Sequence, residues 1–359
     1  TVVNGQVNVA ANGQCSLMEA IQNANNKTNG RPYTDCAAGN PNGADTINLP
    51  ANGLFTLNTP FVPDAQVGPI GLPWISSTIT LNGNGSTIQR GSTDEPFRMI
   101  AVGNQGNLRL NNTTIRGGSL YGQQQAYEFY NYSGGGILNL GQLTITGSII
   151  AENVTETQWY SAGGGGISNQ GALTITGSVI RDNVAAGRDS ATGGGIDNDG
   201  NLTIVNSTIS GNTLDSRYAF GGGVFSSGTL TIVDSVVQDN EASARYFESG
   251  GGVFANGTSI ISGSTFLGNL AGSQEGTHYM SYGYIYVGAI GNSGDMTISN
   301  STIAGNKNYW GGSAVGNLGE LSIFNSTITG NEGGVLTGCY YSNNTTRLYQ
   351  TIVSGNGNS

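Results

Sequence analysis

Arginine and acidic residues recur together in the middle of this chain. Arg188, Arg217 and Arg245 stand 29 and 28 residues apart. Acidic residues accompany them at Asp189, Asp215, Glu241 and Glu248. Carboxylates can serve as general acid and base or bind calcium, and a guanidinium can neutralise the carboxylate of an acidic sugar. Such a set could cleave an acidic polysaccharide. The sequence shows no compact cluster of three or more carboxylates, however, so ion pairing at the surface is the favoured interpretation.

Other catalytic patterns are scarce. His278 is the only histidine, and a lone histidine without cysteine or carboxylate neighbours does not make a typical zinc site. The chain contains no GxSxG, P-loop or HExxH sequence, which are the common nucleophile, nucleotide and zinc-protease patterns. We therefore assign no catalytic residue, no metal site and no cofactor.

Aromatic residues are concentrated in the same variable segments as the arginines. They are Trp159, Tyr160, Tyr218, Tyr246, Phe247, Tyr279, Tyr282 and Tyr284. Aromatic rows of this kind suit contacts with carbohydrate or with a protein partner. The alternative is that the rings pack the variable segments onto the body of the protein.

A repeated phrase must position these residues. GGGIDNDGNLTIVNSTISGN occupies positions 193–212, and close variants occupy 134–153, 164–183, 221–240 and 250–269. Each copy closes on an asparagine, and the series is Asn153, Asn183, Asn212, Asn240, Asn269, Asn306, Asn331 and Asn356. The intervals of 25 to 37 residues indicate one coil of a solenoid per copy.

The pattern within a copy predicts short strands. Leu202 and Ile204 should point inward and Thr203 and Val205 outward. Residues 208–210 should form a second strand, and Ile196 should begin a third after the glycines. Because the corners are too short for helical crossovers, we predict an all-β fold, a right-handed parallel β-helix. The variable segments between closing asparagine and glycine run should project as loops from one side.

We interpret the closing asparagines and the glycine runs as features that the backbone of the coil requires. Equivalent asparagines on successive coils can bond to one another as a ladder, and asparagine tolerates left-handed backbone. The glycines should allow positive φ and close approach of neighbouring coils at the opposite corner.

The first part of the chain differs from the repeats. CSLMEAIQNANN, at 15–26, predicts a helix capped by Ser16 and Glu19, which we place over the end of the coils. Residues 1–44 should thus form an N-terminal strand and helical cap, and residues 45–359 the coils. We predict a Cys15–Cys36 disulfide with Cys339 left over, which suits an exported protein; three free thiols would suit a cytosolic one.

These motifs resemble a known family. CSLMEAIQNAN, ADTINLP and STITLNGNGSTI, followed by GGGI and SGN coils, are similar to secreted bacterial β-helix proteins that open with a Cys-Ser-Leu-Arg-Glu-Ala segment, and the coils are similar to polymorphic outer-membrane protein repeats. Met18 stands where that family usually has arginine. The resemblance implies an extracellular or cell-surface location. Asn-x-Ser/Thr sequences such as that at Asn26 would suit a glycoprotein, but those in the NST phrase favour chance matches.

Composition excludes several partners. The net charge of −10 with only 12 lysines and arginines argues against nucleic acid, and no stretch is apolar for long enough to span a membrane. Our leading hypothesis is a non-enzymatic extracellular rod that is structural, adhesive or fibre-forming. Its partners would be surface glycans or further copies of itself, assembled head-to-tail or laterally. The alternative is a carbohydrate-active lyase or hydrolase.

Overall fold

A computed structural model describes residues 1–27, 32–61, 67–91, 95–122, 133–158, 161–272, 286–309, 311–337 and 344–357. One helix, α1 (Leu17–Asn25), occurs in these residues, and the remaining elements are strands. The described strands form three sheets in which every pairing is parallel. The chain is therefore a parallel β-solenoid, as predicted.

Sheet 1 contains two strands from most coils. Its strands are Asp45–Asn48, Leu54–Leu57, Thr78–Arg90, Asn107–Arg116, Gln142–Thr146, Ile149–Ala151, Ala172–Thr176, Val179–Arg181, Asn201–Val205, Thr208–Ser210, Thr229–Val233, Val236–Gln238, Thr258–Ser262, Thr265–Leu267, Asp295–Ser299, Thr302–Ala304, Glu320–Phe324, Thr327–Thr329, Thr345–Tyr349 and Ile352–Ser354. Each strand pairs with the equivalent strand one coil later, so the sheet runs along the solenoid axis.

Sheets 2 and 3 complete each coil. Sheet 2 follows the glycine runs and contains Ile100–Val102, Ile137–Asn139, Ile167–Asn169, Ile196–Asn198, Val224–Ser226, Val253–Ala255, Val287–Asn292, Ser313–Asn317 and Val335–Thr337. Sheet 3 precedes the glycine runs and contains Ser119–Gly122, Val154–Thr157, Ala162–Gly163, Val184–Gly187, Ser190–Thr192, Thr213–Phe220, Glu241–Ser249, Leu270–Ala271 and Lys307–Asn308.

Inward side chains stack in columns through the centre of the coils. Leu202 and Ile204 are buried, as their alternation predicts, and Leu202 is in register with Leu173 and Leu230 on the neighbouring coils. Each fully buried leucine or isoleucine contributes about 1.5–3 kcal/mol relative to an exposed one. The predicted strands at 196–198 and 208–210 are also present.

The expectation that the variable segments project as loops is wrong for two of them, which are strands of sheet 3. Thr213–Phe220 and Glu241–Ser249 are strands that pair with each other. Most of their inward residues are small, for example Ala219, which is in register with Ala191, although Leu214 is also inward. Alanine carries too little hydrophobicity to mark an alternating pattern, and the segments vary in length, so the strand signal was weak.

The closing asparagines form a buried ladder. The amide nitrogen of Asn183 donates to Asn212 Oδ1 at 2.9 Å, and that of Asn212 donates to Asn240 Oδ1 at 2.9 Å. The same bond links each successive pair from Asn153 to Asn356. The expected left-handed backbone lies one residue earlier than these asparagines, at Asp182 with φ 54° and at Gly211 with φ 63°. The turn before each asparagine thus aims its side chain along the axis.

Two further ladders run parallel to the first. In sheet 2, Asn139 donates to Asn169 Oδ1 and Asn169 donates to Asn198 Oδ1, both at 2.6 Å. Between the two strands of sheet 1, the backbone N–H of Ser178 donates to Ser207 Oγ at 3.2 Å, and equivalent serines repeat this bond. At these three ladders, buried polar groups at the corners of the coil obtain partners from the next coil.

The glycine runs are required by close packing. Gly193 has φ 57°, and a Cβ atom there would lie 2.0 Å from the carbonyl oxygen of Ile196. A Cβ atom at Gly194 would lie 2.5 Å from the carbonyl oxygen of Gly222 on the next coil. Left-handed backbone and coil-to-coil contact therefore exclude larger residues at this corner.

The N-terminal helix forms as predicted. Ser16 accepts from the Glu19 N–H, and Glu19 accepts from the Ser16 N–H, which is a capping box. The buried face of the helix packs on the core of the first coils. Cys15 and Cys36 form the predicted disulfide. Residues 1–44 contain no strand in their described part; the first strand begins at Asp45.

Candidate functional site

An open charged groove runs across the outer face of sheet 3. One part, of about 390 Å³, is lined by charged residues that include Glu156, Arg188, Asp215, Arg217 and Arg245. A second part, of about 350 Å³, shares Asp215 and Arg245 and adds Glu241. The three arginines predicted from their spacing therefore lie along one groove.

The register of sheet 3 explains this arrangement. Glu156, Ala186 and Asp215 occupy equivalent outward positions on successive coils. Neighbouring strands in a sheet are about 4.7–4.9 Å apart. The Cα atoms of Glu156 and Asp215, which are two coils apart, are therefore separated by about 10 Å. Outward alternation and strand stacking place these charges in the groove.

Surface ion pairing accounts for part of the groove. Arg217 Nη1 lies 3.0 Å from Asp189 Oδ1, and both side chains are at least a third exposed. Exposed pairs of this kind contribute about 0–1 kcal/mol. Arg217 is therefore held by a carboxylate of the preceding coil. This is the interpretation that the sequence favoured for Arg217.

The pKa of Glu241, which lines this groove, departs from its ordinary value. Burial raises the pKa of Glu241 above its ordinary value, and the nearby charge of Asp215 raises it further. A carboxyl group with a raised pKa, in a groove that Asp215 and Arg245 also line, could act as a general acid. Among the described residues, no group of three or more histidine, cysteine, aspartate or glutamate residues is placed to hold a metal ion.

The predicted aromatic contact residues have different environments. Tyr218 is 41% exposed and its ring centroid lies 5.9 Å from that of Tyr246. Phe247 is buried and packs against Phe220 and Tyr286. Tyr218 and Tyr246 thus form an outer aromatic pair, whereas Phe247 packs its segment onto the solenoid. Trp159, Tyr160, Tyr279, Tyr282 and Tyr284, together with His278 and Cys339, lie outside the described residues.

A buried carboxyl group beneath this surface was not recognised from the sequence as a special position. Glu248 is in register with Ala219 and is fully buried. Neither of its carboxyl oxygens has a hydrogen-bond partner within the described part of the chain. Burial raises its pKa to about 8. Because Glu248 lies near arginines in the sequence, we expected a surface ion pair. The register shows instead that Glu248 occupies the inward position that Ala219 occupies on the preceding coil.

Asp197 was also missed. It is the central residue of a sheet 2 strand, in register with Ser168 and Phe225. Its pKa is raised to about 8, mainly by burial and secondly by the charge of Asp199, while a hydrogen bond with Thr192 opposes the shift. The signal available in the sequence was an acid at a position where the other repeats carry uncharged residues.

The chain matches no protein-family model, and no curated protein or solved structure matches it. The described part of the structure contains no helix with the length and hydropathy needed to cross a bilayer. The resemblance suggested by CSLMEAIQNAN remains an expectation. The functional argument therefore depends on the geometry of this chain.

Proposed function

We propose that this chain is a non-enzymatic rod that acts outside the cell or at its surface as a structural, adhesive or fibre-forming subunit. The observation that carries the proposal is the asparagine ladder. Its side-chain bonds continue from Asn153 to Asn356 without interruption. Continuous bonding of equivalent corners favours a stiff scaffold that presents its faces at fixed spacing.

Three further observations support this proposal. The charged side chains on sheet 3 line an open groove, and Arg217 is paired with Asp189 at the surface. The Cys15–Cys36 disulfide is the kind of bond that persists in oxidising, extracytoplasmic environments. The pair formed by exposed Tyr218 and half-buried Tyr246 offers an adhesive surface on sheet 3.

Electron microscopy and bead assays test the proposal. We expect rods or filaments, and beads coated with the protein should adhere to one another or to a glycan array. Tyr218→Ser should weaken adhesion. Leu267→Ser is the matched control, because Leu267 is 44% exposed on sheet 1, compared with 41% for Tyr218 on sheet 3. Equal adhesion by both variants, or no adhesion by the parent, would refute the adhesive role.

The second candidate is an enzyme that cleaves a polysaccharide. The specific observation in its favour is the raised pKa of Glu241 beside Asp215, in a groove that Arg245 also lines. Turnover of acidic and neutral polysaccharides should be assayed by release of reducing ends. Turnover that Glu241→Gln abolishes and Glu156→Gln preserves would establish the enzyme and overturn the non-enzymatic proposal. Absence of turnover across the panel would support the rod.

A further inference from the structure

A second cavity, of about 480 Å³, lies on the outer face of sheet 2. Phe225 and Phe254 form its floor. They are the central residues of two neighbouring strands, and because the residues that flank them face the core, their own side chains face outward. Their rings are nearly parallel, with an interplanar angle of 4° and centroids 6.2 Å apart.

Sheet 3 supplies a wall of the same cavity. The ring centroid of Phe220 lies 5.1 Å from that of Phe254 and 5.6 Å from that of Phe247, and both contacts are tilted. Phe220 is the last residue of one sheet 3 strand, and Phe247 lies two residues before the end of the next, shortly before the glycine runs. The turn at each glycine run brings their rings over sheet 2. Four phenylalanine rings therefore surround one space.

Ser249 provides an unsatisfied hydroxyl at this cavity. It lines the cavity, is 0% exposed, and its Oγ has no hydrogen-bond partner among the described residues. A buried hydroxyl without a partner is costly, because it has lost its water and gained nothing in exchange. A ligand with a hydrogen-bonding group would remove that cost.

Gly291 keeps this hydroxyl and the floor close together. It follows Phe254 in the outward column of sheet 2. A Cβ atom at Gly291 would lie 2.5 Å from Phe254 Cδ2 and 2.7 Å from Ser249 Oγ. Any other residue there would displace the ring or the hydroxyl. The glycine therefore permits an aromatic surface and a polar group to meet at one point.

We propose that this cavity binds a small uncharged aromatic molecule that carries a hydroxyl group. The ligand ring would stack on Phe225 and Phe254, and its hydroxyl would bond to Ser249 Oγ. The described residues that line the cavity include no charged side chain, so a charged ligand would lose its water without a counter-charge. A sugar is disfavoured because each of its many hydroxyls would need a partner. Most of the accessible lining surface is apolar, although Ser190, Thr192, Asn256 and Ser293 also line the cavity.

The test uses 2-naphthol and naphthalene as probes, with binding to the whole chain followed by calorimetry. The two probes share a planar ring system and differ by one hydroxyl. The parent protein should bind 2-naphthol about 5-fold more tightly than naphthalene, which corresponds to one hydrogen bond. Ser249→Ala should remove this preference and leave naphthalene binding unchanged.

Ser259→Ala is the matched control. Ser259 is also buried with an unpartnered hydroxyl in the described structure, but it lies in the inward column of sheet 1, away from the cavity. This variant should retain the preference for 2-naphthol. Phe225→Ala should weaken binding of both probes. Circular dichroism of each variant verifies the fold.

Three results would overturn the proposal. They are failure of the parent to bind 2-naphthol, equal affinity of the parent for both probes, and tighter binding of cellohexaose than of 2-naphthol. The first two comparisons use the parent protein alone, so they decide the question even if a variant does not fold. The rod proposal does not depend on the outcome.

Discussion

Replacing Asn212 with leucine tests how much the asparagine ladder stabilises the solenoid. Asn212 is fully buried, and its Oδ1 accepts from the backbone N–H of Asn183 at 3.1 Å and from the side-chain amide of Asn183 at 2.9 Å. Leucine is of similar size but offers no acceptor. Two buried donors on Asn183 would then lose their partner.

The magnitude follows from these two donors. A buried polar group left without a partner costs about 1–3 kcal/mol, so the two donors together cost about 2–6 kcal/mol. Asn201→Leu is the control, because Asn201 belongs to the same coil but is exposed, and its Oδ1 accepts only from the exposed hydroxyl of Thr229. Water can replace that bond. We expect this variant to change stability by less than about 0.5 kcal/mol.

Urea unfolding and hydrogen exchange measure the effect. The free energy of unfolding should fall for Asn212→Leu but not for Asn201→Leu. In the native protein, the Asn183 amide should exchange faster only in the first variant, because its acceptor has been removed. Unfolding midpoints that coincide for the two variants, with unchanged exchange at Asn183, would refute the view that the ladder stabilises the fold.

Three further predictions concern other features. Cys15 and Cys36 should resist alkylation until reduction, and replacing both with serine should lower stability by about 3 kcal/mol; rapid labelling of the folded protein would contradict the bridge. Because the folded pKa of Glu248 is raised from 4.5 to about 8, the folded state holds the proton more tightly, so stability should fall as pH rises through this window. Glu248→Gln should lessen that dependence in urea titrations at pH 5 and 9; an identical dependence in both proteins would contradict it. Gly194→Ala should lower the thermal midpoint of unfolding more than Gly177→Ala. A Cβ atom at Gly194 would meet neighbouring backbone, whereas Gly177 has positive φ but nothing within 4 Å of an added Cβ atom. The reverse order of midpoints would show that backbone conformation dominates.

Much of the coil could be predicted from the sequence because its signals are local. Leu202 and Ile204 alternate with polar residues, and the constant phrase around Asn212 fixes where each coil closes. The Ser16 capping box is a local pattern of the same kind. Such features depend on residues a few positions apart, so one copy of the repeat is enough to interpret them.

The features that were missed depend on contacts between coils. The asparagine series of the second ladder is interrupted at Ser226 and Ala255, which lie in register between Asn198 and Asn292, so its period is incomplete in the sequence. Glu248 looks like a surface acid until register places it opposite Ala219. The aromatic cavity joins residues from several coils and two sheets, and no short segment contains that information.

The constant ladder has a consequence for how this chain can vary in length. The interval from Asn269 to Asn306 is 37 residues and that from Asn306 to Asn331 is 25, yet both side-chain bonds measure 2.9 Å. The additional residues of the longer coil fall between Ala271 and Val287, the ends of flanking strands. The ladder bonds on either side of the longer coil are thus the same despite its additional residues. An engineered or evolving gene can lengthen one coil, or accept a grafted peptide there, without altering the spacing of any other.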